Sequence, residues 1–215
     1  MNRREFSAAA ATAAGAALGL PGAALAQRLP QDGKEYRSLE RSVPVEAPAG
    51  KIEVVEFFWY KCPHCNAFEP RLVDWIQRAP ADVVVRRIPV AFRDDFVPQQ
   101  RLFYALEALG KLPELHQKVF DAIHRANQPL NREAEILAFA EASGLDRARF
   151  QELYRSATVS DKARRAIELQ DLYGVGGVPA MGVAGRFYTD GEMTGSNDRM
   201  LPVLEYLIAE ARKAR

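Results

Sequence analysis

The sequence lacks an excess of charge of either sign. Its 215 residues include 29 Lys and Arg against 28 Asp and Glu, which gives a net charge of +1. After residue 26 the two signs balance at 27 each, because Arg3, Arg4 and Glu5 lie before that point. Such a chain has no basic field for nucleic acid and no polybasic patch for a membrane surface. We also find no repeat with a period of about 20–50 residues after residue 26.

An apolar run long enough to cross a membrane is absent as well. Residues 8–20 are apolar, but they are mostly small and are followed by Pro21, so a retained transmembrane helix is not expected. Arg3-Arg4 precedes this stretch and an A-x-A motif ending at Ala26 follows it, which is the pattern of an export signal. We predict a signal peptide over residues 1–26, cleaved between Ala26 and Gln27. The predicted location is a bacterial periplasm, where disulfides persist.

Cysteine and histidine are scarce. Cys62 and Cys65 are the only cysteines, and His64, His116 and His124 are the only histidines. His116 and His124 lie about 12 Å apart along one predicted helix, which is too far to share a zinc ion. We therefore predict no metal and interpret these two histidines as surface residues or as satisfied residues of a helix. A passive staple is also disfavoured, because a disulfide over so short a loop gives little entropic stabilisation.

The cysteine pair lies where a predicted strand gives way to a predicted helix. Residues 51–59 form a near-continuous apolar run, which is typical of a buried strand, and Pro63 suits the first turn of a helix. Near a helix start, free N–H groups and the helix dipole favour a thiolate, and His64 can add a donor or a positive charge. We predict that Cys62 is the reactive thiol and that Cys65, one turn into the helix, is the more buried resolving thiol.

Strand and helix patterns are grouped along the rest of the chain. A second strand is predicted at residues 83–90, and residues 97–173 show helical patterns only. Within them, Asn131 and Asp146 are predicted helix caps and Thr158 is the predicted start of the longest helix. Strands return at residues 180–183 and 186–188, around the turn Ala184-Gly185, before a final helix from Asn197 or Asp198.

This order predicts one α/β domain over residues 27–215. Its core would comprise residues of about 27–96 and 174–215, and an all-helical insertion of about 97–173 would lie between the second strand and the next one. A segment of that length between strands is an insertion, because loops that long without structure are uncommon.

The layout resembles the thioredoxin fold and, with its helical insertion, the DsbA family of periplasmic thiol:disulfide oxidoreductases. The matching segments are Val54-Val55-Glu56-Phe57-Phe58, Cys62-Pro63-His64-Cys65 and Gly177-Val178-Pro179-Ala180-Met181. Lys61 departs from the family pattern, in which an aromatic residue more often precedes the first cysteine. The resemblance implies a strongly depressed thiol pKa at Cys62, which stabilises the reduced form and makes the oxidised protein a strong oxidant.

The resemblance also implies roles for other residues. It implies a cis peptide bond at Pro179, which would expose backbone groups of Val178 beside the cysteines for an extended client segment. It implies that Glu56 relays the proton of Cys65 through water. For His64, the position between the two cysteines favours a residue that tunes Cys62 over an inert surface histidine. The strand period alone places Glu56 on one face with three apolar residues, Ile52, Val54 and Phe58.

We expect an exported oxidase that passes its Cys62–Cys65 disulfide to unfolded or reduced exported proteins through a mixed disulfide on Cys62. The resemblance implies a DsbB-like, quinone-linked membrane partner that reoxidises the pair; the exchange step needs no cofactor, and a monomer suffices. Two alternatives stay open: a reductase or isomerase on the same fold, and a peptide-binding chaperone with a vestigial disulfide. Residues 27–51 are too few for the dimerisation domain of such an isomerase.

Overall fold

A five-stranded mixed sheet forms the centre of the molecule. The computed structural model describes residues 28–213. Its strands are β1 (Arg37–Ser38), β2 (Ile52–Phe58), β3 (Val83–Pro89), β4 (Ala180–Val183) and β5 (Phe187–Asp190). Their order across the sheet is β1-β5-β4-β2-β3, in which β2 and β3 are parallel and the other neighbours are antiparallel. The fully buried β2 therefore leads from the middle of the sheet to the cysteines.

Helices cover both faces of this sheet. Among the described residues they are α1 (Pro63–Arg78), α2 (Val97–Ala108), α3 (Leu112–His124), α4 (Glu133–Ala142), α5 (Arg147–Arg155), α6 (Ala157–Tyr173), α7 (Gly191–Thr194) and α8 (Asn197–Lys213), with a 3-10 turn at Asp94–Phe96. Helices α2–α6 all lie between β3 and β4. The predicted fold class, a thioredoxin fold with a helical insertion, is thereby confirmed.

Two apolar cores lie on the two sides of the sheet. Ile52 and Val54 of β2 pack with Leu72 of α1 and Leu204 of α8. Side chains of alternate residues in β2 pack instead with the helical insertion, in a cluster that includes Val55, Phe57, Phe120 and Tyr173. This division follows from the period of two along a strand, because successive side chains point to opposite faces. Burying both faces explains why β2 is a near-continuous apolar run.

Two of the predicted helix starts are wrong by one residue, and those at Asp146 and Asn197 are confirmed. Asp146 caps α5 as predicted, since its side chain accepts a hydrogen bond from Arg149 N at 2.7 Å. Helix α4 begins at Glu133 rather than after Asn131, because the Glu135 carboxylate reaches back to the backbone N–H groups of residues 131 and 132 and caps the helix itself. Helix α6 begins at Ala157 instead of Thr158, since the hydroxyl of the preceding residue, Ser156, accepts from Val159 N.

The β4–β5 hairpin turns at Ala184-Gly185, as predicted. Both residues have positive φ, 53° and 66°, and Arg186 N donates to Val183 O at 2.9 Å. A two-residue turn with both φ positive matches the twist of the paired strands. Within residues 28–213 no helix is long and apolar enough to cross a bilayer. The predicted signal peptide, residues 1–26, lies outside the described residues.

Candidate active site

The two cysteines lie at the start of α1, a few residues after β2. Cys62 is the N-cap residue and Pro63 lies in the first turn, while Cys65 N donates to Cys62 Sγ at 3.4 Å. From the other side, Val178 O lies 3.3 Å from Cys62 Sγ, so it can accept from this sulfur when Cys62 is protonated. Both cysteines are free thiols, with exposures of 7% for Cys62 and 1% for Cys65. The greater burial predicted for Cys65 is confirmed.

The two sulfur atoms have opposite electrostatic surroundings. A hydrogen bond from the Cys65 thiol, followed by backbone N–H groups of Cys65 and His64 and the charge of His64, lowers the pKa of Cys62 from 9.0 to about 6, against the effect of burial. Burial raises the pKa of Cys65 well above its ordinary value, and its contact with Cys62 raises it further. At neutral pH the pair therefore carries one negative charge, and that charge resides on Cys62.

His64 lies on the surface beside an open groove. Its side chain is exposed, and its carbonyl accepts a hydrogen bond from Asn197 Nδ2 at 3.3 Å. The groove has a volume of about 540 Å³ and runs from His64 past Val178 and Pro179 to Asp190 and Glu192. Neither cysteine lines this groove, but Val178, which does, has its carbonyl oxygen 3.3 Å from Cys62 Sγ.

Val178 and Pro179 form the wall opposite α1. The peptide bond between them is cis, as expected, and Pro179 directly precedes β4. Because β4 pairs with β2, this loop lies beside the end of β2 from which the cysteine motif begins. The backbone of Val178 thus lies next to Cys62, and the neighbouring Pro179 has no N–H to offer.

Glu56 lies beneath the cysteines in a buried charge cluster. It is 1% exposed and neighbours Arg87 in the β2–β3 register, with Oε2 3.3 Å from Arg87 Nη1. Burial raises the pKa of Glu56 to about 8; the charge of Arg87 opposes this shift, and that of Glu69 adds to it. The charge of Glu56 in turn raises the pKa of Cys65. A buried carboxyl that is mostly neutral at pH 7 can both donate and accept a proton.

Three further members of this cluster were not predicted. Burial disfavours the charge on Glu69, yet Arg87, whose Nη1 donates to Glu69 Oε2 at 2.6 Å, lowers the pKa of Glu69. His116 is buried, not on the surface: its Nε2 lies 2.5 Å from Arg87 Nη1 and its Nδ1 lies 2.8 Å from Tyr60 Oη. Burial lowers the pKa of His116, so the ring is neutral. Of the two interpretations offered for this histidine, a satisfied residue of a helix is the correct one.

Spacing on α1 could have revealed Glu69, and nothing in the sequence pointed to the others. Glu69 lies four residues after Cys65 and three before Leu72, on the buried stripe of the helix. His116 and Tyr60 are 56 residues apart in the chain, so only the folded structure brings them together. Within residues 28–213 no three His, Cys, Asp or Glu side chains form a group that could hold a metal ion.

An aromatic patch borders the site on the side of the helical insertion. Trp59 stacks on Phe96 with ring centroids 3.9 Å apart, and Phe92 meets Phe96 edge-on at 5.8 Å. Phe92 is 39% exposed, so this patch reaches the surface. Trp59 O also accepts the N–H of Cys62 at 3.0 Å, so this patch is continuous with the cysteine loop.

The comparisons with known proteins agree with this geometry. Residues 53–207 match the model of the DSBA-like thioredoxin domain family. The thiol:disulfide interchange protein DsbA of Burkholderia cepacia is 37% identical over 183 residues, which cover 85% of this chain and 86% of that protein. The protein of the same name from Pseudomonas aeruginosa is 40% identical over 182 residues, with the same two shares.

Solved structures give the same result. The crystal structure of Pseudomonas aeruginosa DsbA has a TM-score of 0.80 at 40% identity and covers 85% of this chain and 94% of that one. The oxidoreductase DsbA from Xylella fastidiosa has a TM-score of 0.80 at 30% identity, with shares of 86% and 100%. The chain therefore belongs to the DsbA-like thioredoxin domain family and is a thiol:disulfide oxidoreductase.

Proposed function

We propose that this protein is a disulfide oxidase and that Cys62 is the sulfur that bonds to the client. A client thiolate attacks Sγ of Cys62 in the oxidised pair, the Cys62–Cys65 bond breaks, and Cys65 leaves as a thiolate that takes up a proton. The client's second thiolate then attacks the client sulfur of the mixed disulfide and releases Cys62 as a thiolate. The client loses two electrons and two protons; the electrons reduce the pair, one proton goes to Cys65 and one to solvent.

The unequal acidity of the two sulfurs is the observation that carries this proposal. The depressed pKa of Cys62 stabilises the released thiolate and so favours the reduced protein. A better leaving thiolate is displaced faster, which favours transfer of the disulfide to the client. The raised pKa of Cys65 means that this sulfur is protonated after it leaves and does not readily attack the mixed disulfide in the reverse direction.

Pro63, His64 and Glu56 would support this step from three directions. Pro63 begins the helix whose N–H groups face Cys62, and His64 adds a backbone donor and a charge. Glu56 would give the departing Cys65 sulfur its proton through a water molecule, since its carboxyl is buried near that sulfur and is largely protonated at pH 7.

Val178 and Pro179 would bind the client. Val178 O lies 3.3 Å from Cys62 Sγ, so a segment that reaches this sulfur passes the backbone of Val178 and can hydrogen-bond to it as a short added strand. Hydrogen bonds between backbones do not depend on the side chains of the client, so the same contact can serve clients of different sequence. The exposed Phe92 and the groove beside His64 add apolar and polar surface on either side.

The clients would be unfolded or reduced exported proteins in the periplasm, reached after removal of residues 1–26. A quinone-linked membrane partner of the DsbB type would reoxidise the pair, and the protein would act as a monomer. The relatives that bear the DsbA name, together with the export pattern before Gln27, support this setting.

A redox titration against glutathione tests the direction of electron flow. An oxidase will be reduced at glutathione ratios that leave thioredoxin-like reductases oxidised. An equilibrium on the reducing side would assign the protein to the reductases or isomerases instead. Cys62→Ala provides the second test, because it should abolish oxidation of a reduced client; unchanged client handling would point to a chaperone.

A further inference from the structure

One nitrogen of Arg87 faces three acceptors. Nη1 lies 2.6 Å from Glu69 Oε2, 2.5 Å from His116 Nε2 and 3.3 Å from Glu56 Oε2. A guanidinium Nη1 carries two N–H groups. Glu69 and His116 occupy both, and Glu56 Oε2 has no hydrogen-bond partner among the described residues although it is buried. His116 and Glu56 therefore compete for the same donor.

The contacts of His116 fix its tautomer. Nε2 lies 2.5 Å from Arg87 Nη1, a donor that has no acceptor capacity, and 3.6 Å from Glu69 Oε2, which is beyond hydrogen-bond distance. Nε2 therefore carries no proton and accepts from Arg87. Nδ1 then carries the proton and donates to Tyr60 Oη at 2.8 Å. Burial disfavours the charged ring, which agrees with a neutral histidine that uses one nitrogen as acceptor and the other as donor.

We propose that His116 is a positioning residue that occupies one N–H of Arg87 and thereby withholds it from Glu56. With that N–H free, a small shift of the guanidinium would bring it into hydrogen-bond geometry with Glu56 Oε2. A hydrogen bond from a cation to a carboxylate favours the ionised form. His116 thus keeps the Glu56 carboxyl in its neutral form, ready to give a proton to Cys65; this functional meaning rests on the proposed role of Glu56.

The titratable groups that face Glu56 are few, and they come from four elements. Arg87 lies on β3, Glu69 and Cys65 lie on α1, His116 lies on α3, and Tyr60 lies in the loop after β2. Glu69 and Arg87 form an ion pair with no net charge, and His116 and Tyr60 are neutral. The sharing of Arg87 between Glu56 and His116 is therefore the part of this network that a single uncharged substitution can alter.

Two substitutions at His116 separate its two contacts. His116→Gln places an amide oxygen near the position of Nε2 and keeps an acceptor for Arg87, whereas His116→Asn reaches only the position of Nδ1 and keeps only the contact with Tyr60. The ionisation constant of Glu56 is to be measured in the reduced protein from the pH dependence of its side-chain carboxyl ¹³C shift. We expect the ionisation constant of Glu56 to rise about tenfold or more in His116→Asn, which means a lower pKa, and to change by less than about threefold in His116→Gln.

Equal changes in both variants, or none in His116→Asn, would overturn the proposal. Tyr60→Phe is the matched control, because it removes the Nδ1 partner and leaves Nε2 in place; Glu56 should titrate there as in the unaltered protein. If His116→Asn does not fold, the imidazole ¹⁵N chemical shifts of His116 in the unaltered protein test the proposal instead. They must show a neutral ring protonated on Nδ1 through neutral pH, and a ring protonated on Nε2 contradicts the proposal.

A redox readout separates this inference from the function on which it rests. An ionised Glu56 opposes the thiolate at the cysteine pair, so His116→Asn should shift the equilibrium with glutathione toward the oxidised protein by about threefold to tenfold. The same substitution in a Glu56→Gln background should have no further effect. If His116→Asn changes the titration of Glu56 but not the rate of client oxidation, His116 positions Arg87 and Glu56 is not the proton relay. If His116→Asn shifts the glutathione equilibrium equally with Glu56 and with Gln at position 56, His116 does not act through Glu56.

Discussion

Cys62 and Cys65 are chemically identical in an unfolded chain, and their places in the fold make them different. Cys62 caps α1 and receives N–H groups, whereas Cys65 is enclosed one turn later. Helix-start spacing predicted this asymmetry, and the strand period predicted that Glu56 is buried. The sequence did not reveal Arg87 or His116 as neighbours of Glu56, because long-range packing brings them there and leaves no local pattern.

At His64 we expect a partial effect from removal of the side chain. His64→Ala deletes the charge but keeps the backbone N–H that faces Cys62, and both lower the pKa of Cys62. The pKa of Cys62 should rise by less than about one unit, and the oxidising equilibrium should weaken by less than about tenfold. Thiolate absorbance against pH and the glutathione equilibrium measure the two quantities. An unchanged equilibrium would show that His64 does not tune the pair through its side chain.

The acidity of Cys62 also predicts how the stability of the reduced protein depends on pH. Folding lowers the pKa of Cys62 from 9.0 to about 6, so the stabilisation is complete above pH 9 and is lost as the pH falls through 6. At pH 7 it amounts to about 1 kcal/mol. Glu56 acts in the opposite direction over part of this range, so the quantity to measure is a difference between two reduced proteins. In urea unfolding, the free energy of unfolding of the unaltered protein minus that of Cys62→Ser should rise between pH 6 and 9, and a constant difference would assign the effect to another group.

Strands and helices were predictable where a local signal exists. The apolar run of β2, the two-residue turn at Ala184-Gly185 and the cap at Asp146 each rest on a few adjacent residues. The start of α4 was misplaced by one residue because Arg132 rather than Asn131 is the N-cap, and Glu135 reaches back to accept hydrogen bonds from the backbone N–H groups of both residues. The four-residue helix α7 was not predicted, since so short an element has no periodicity to detect.

The β4–β5 turn should tolerate no side chain at Gly185. A Cβ there would lie 2.0 Å from Val43 O, and φ is +66°. Gly195 is a matched control, with φ of +75° and nothing within 4 Å of a Cβ. We expect Gly195→Ala to cost about 1 kcal/mol from backbone strain alone, and Gly185→Ala to cost at least about 2 kcal/mol more. Equal losses in urea unfolding would show that Val43 moves aside at little cost.

At the scale of the whole molecule, the sheet connects the chemistry to stability. The strand that ends at the cysteine loop also carries Glu56 into the interior, where its charge is disfavoured. The fold class followed from element order and from the resemblance, whereas the buried ionic cluster emerged only from how β3, α1 and α3 meet. Because burial disfavours the charge of this carboxyl, the stability of the folded protein depends on pH.

Glu56→Gln should remove that dependence. The folded protein raises the pKa of Glu56 from 4.5 to about 8, so the stability is fully present below pH 4.5 and is lost as the pH rises through 8. Relative to the unaltered protein, the variant should gain on the order of a few kcal/mol between pH 5 and 8. The oxidised protein is the form to measure, because its cysteines do not titrate. Because folding lowers the pKa of His116, this residue makes the free energy of unfolding fall as the pH decreases below about 6.5, which is opposite to the effect of Glu56. Both proteins contain His116, so the difference between their free energies of unfolding tests the prediction. A constant difference would contradict it.

The two edges of the sheet affect whether unfolded chains can pair with this protein and aggregate on it. Strand β1 is only two residues long, and β3 carries Arg86 and Arg87 in its second half and ends in Pro89. Short, charged or proline-terminated rims offer few free peptide groups to a passing polypeptide. An unfolded client therefore finds little free strand edge at either rim, and its backbone pairing is confined to the short segment proposed at Val178, from which it leaves once its thiols are oxidised.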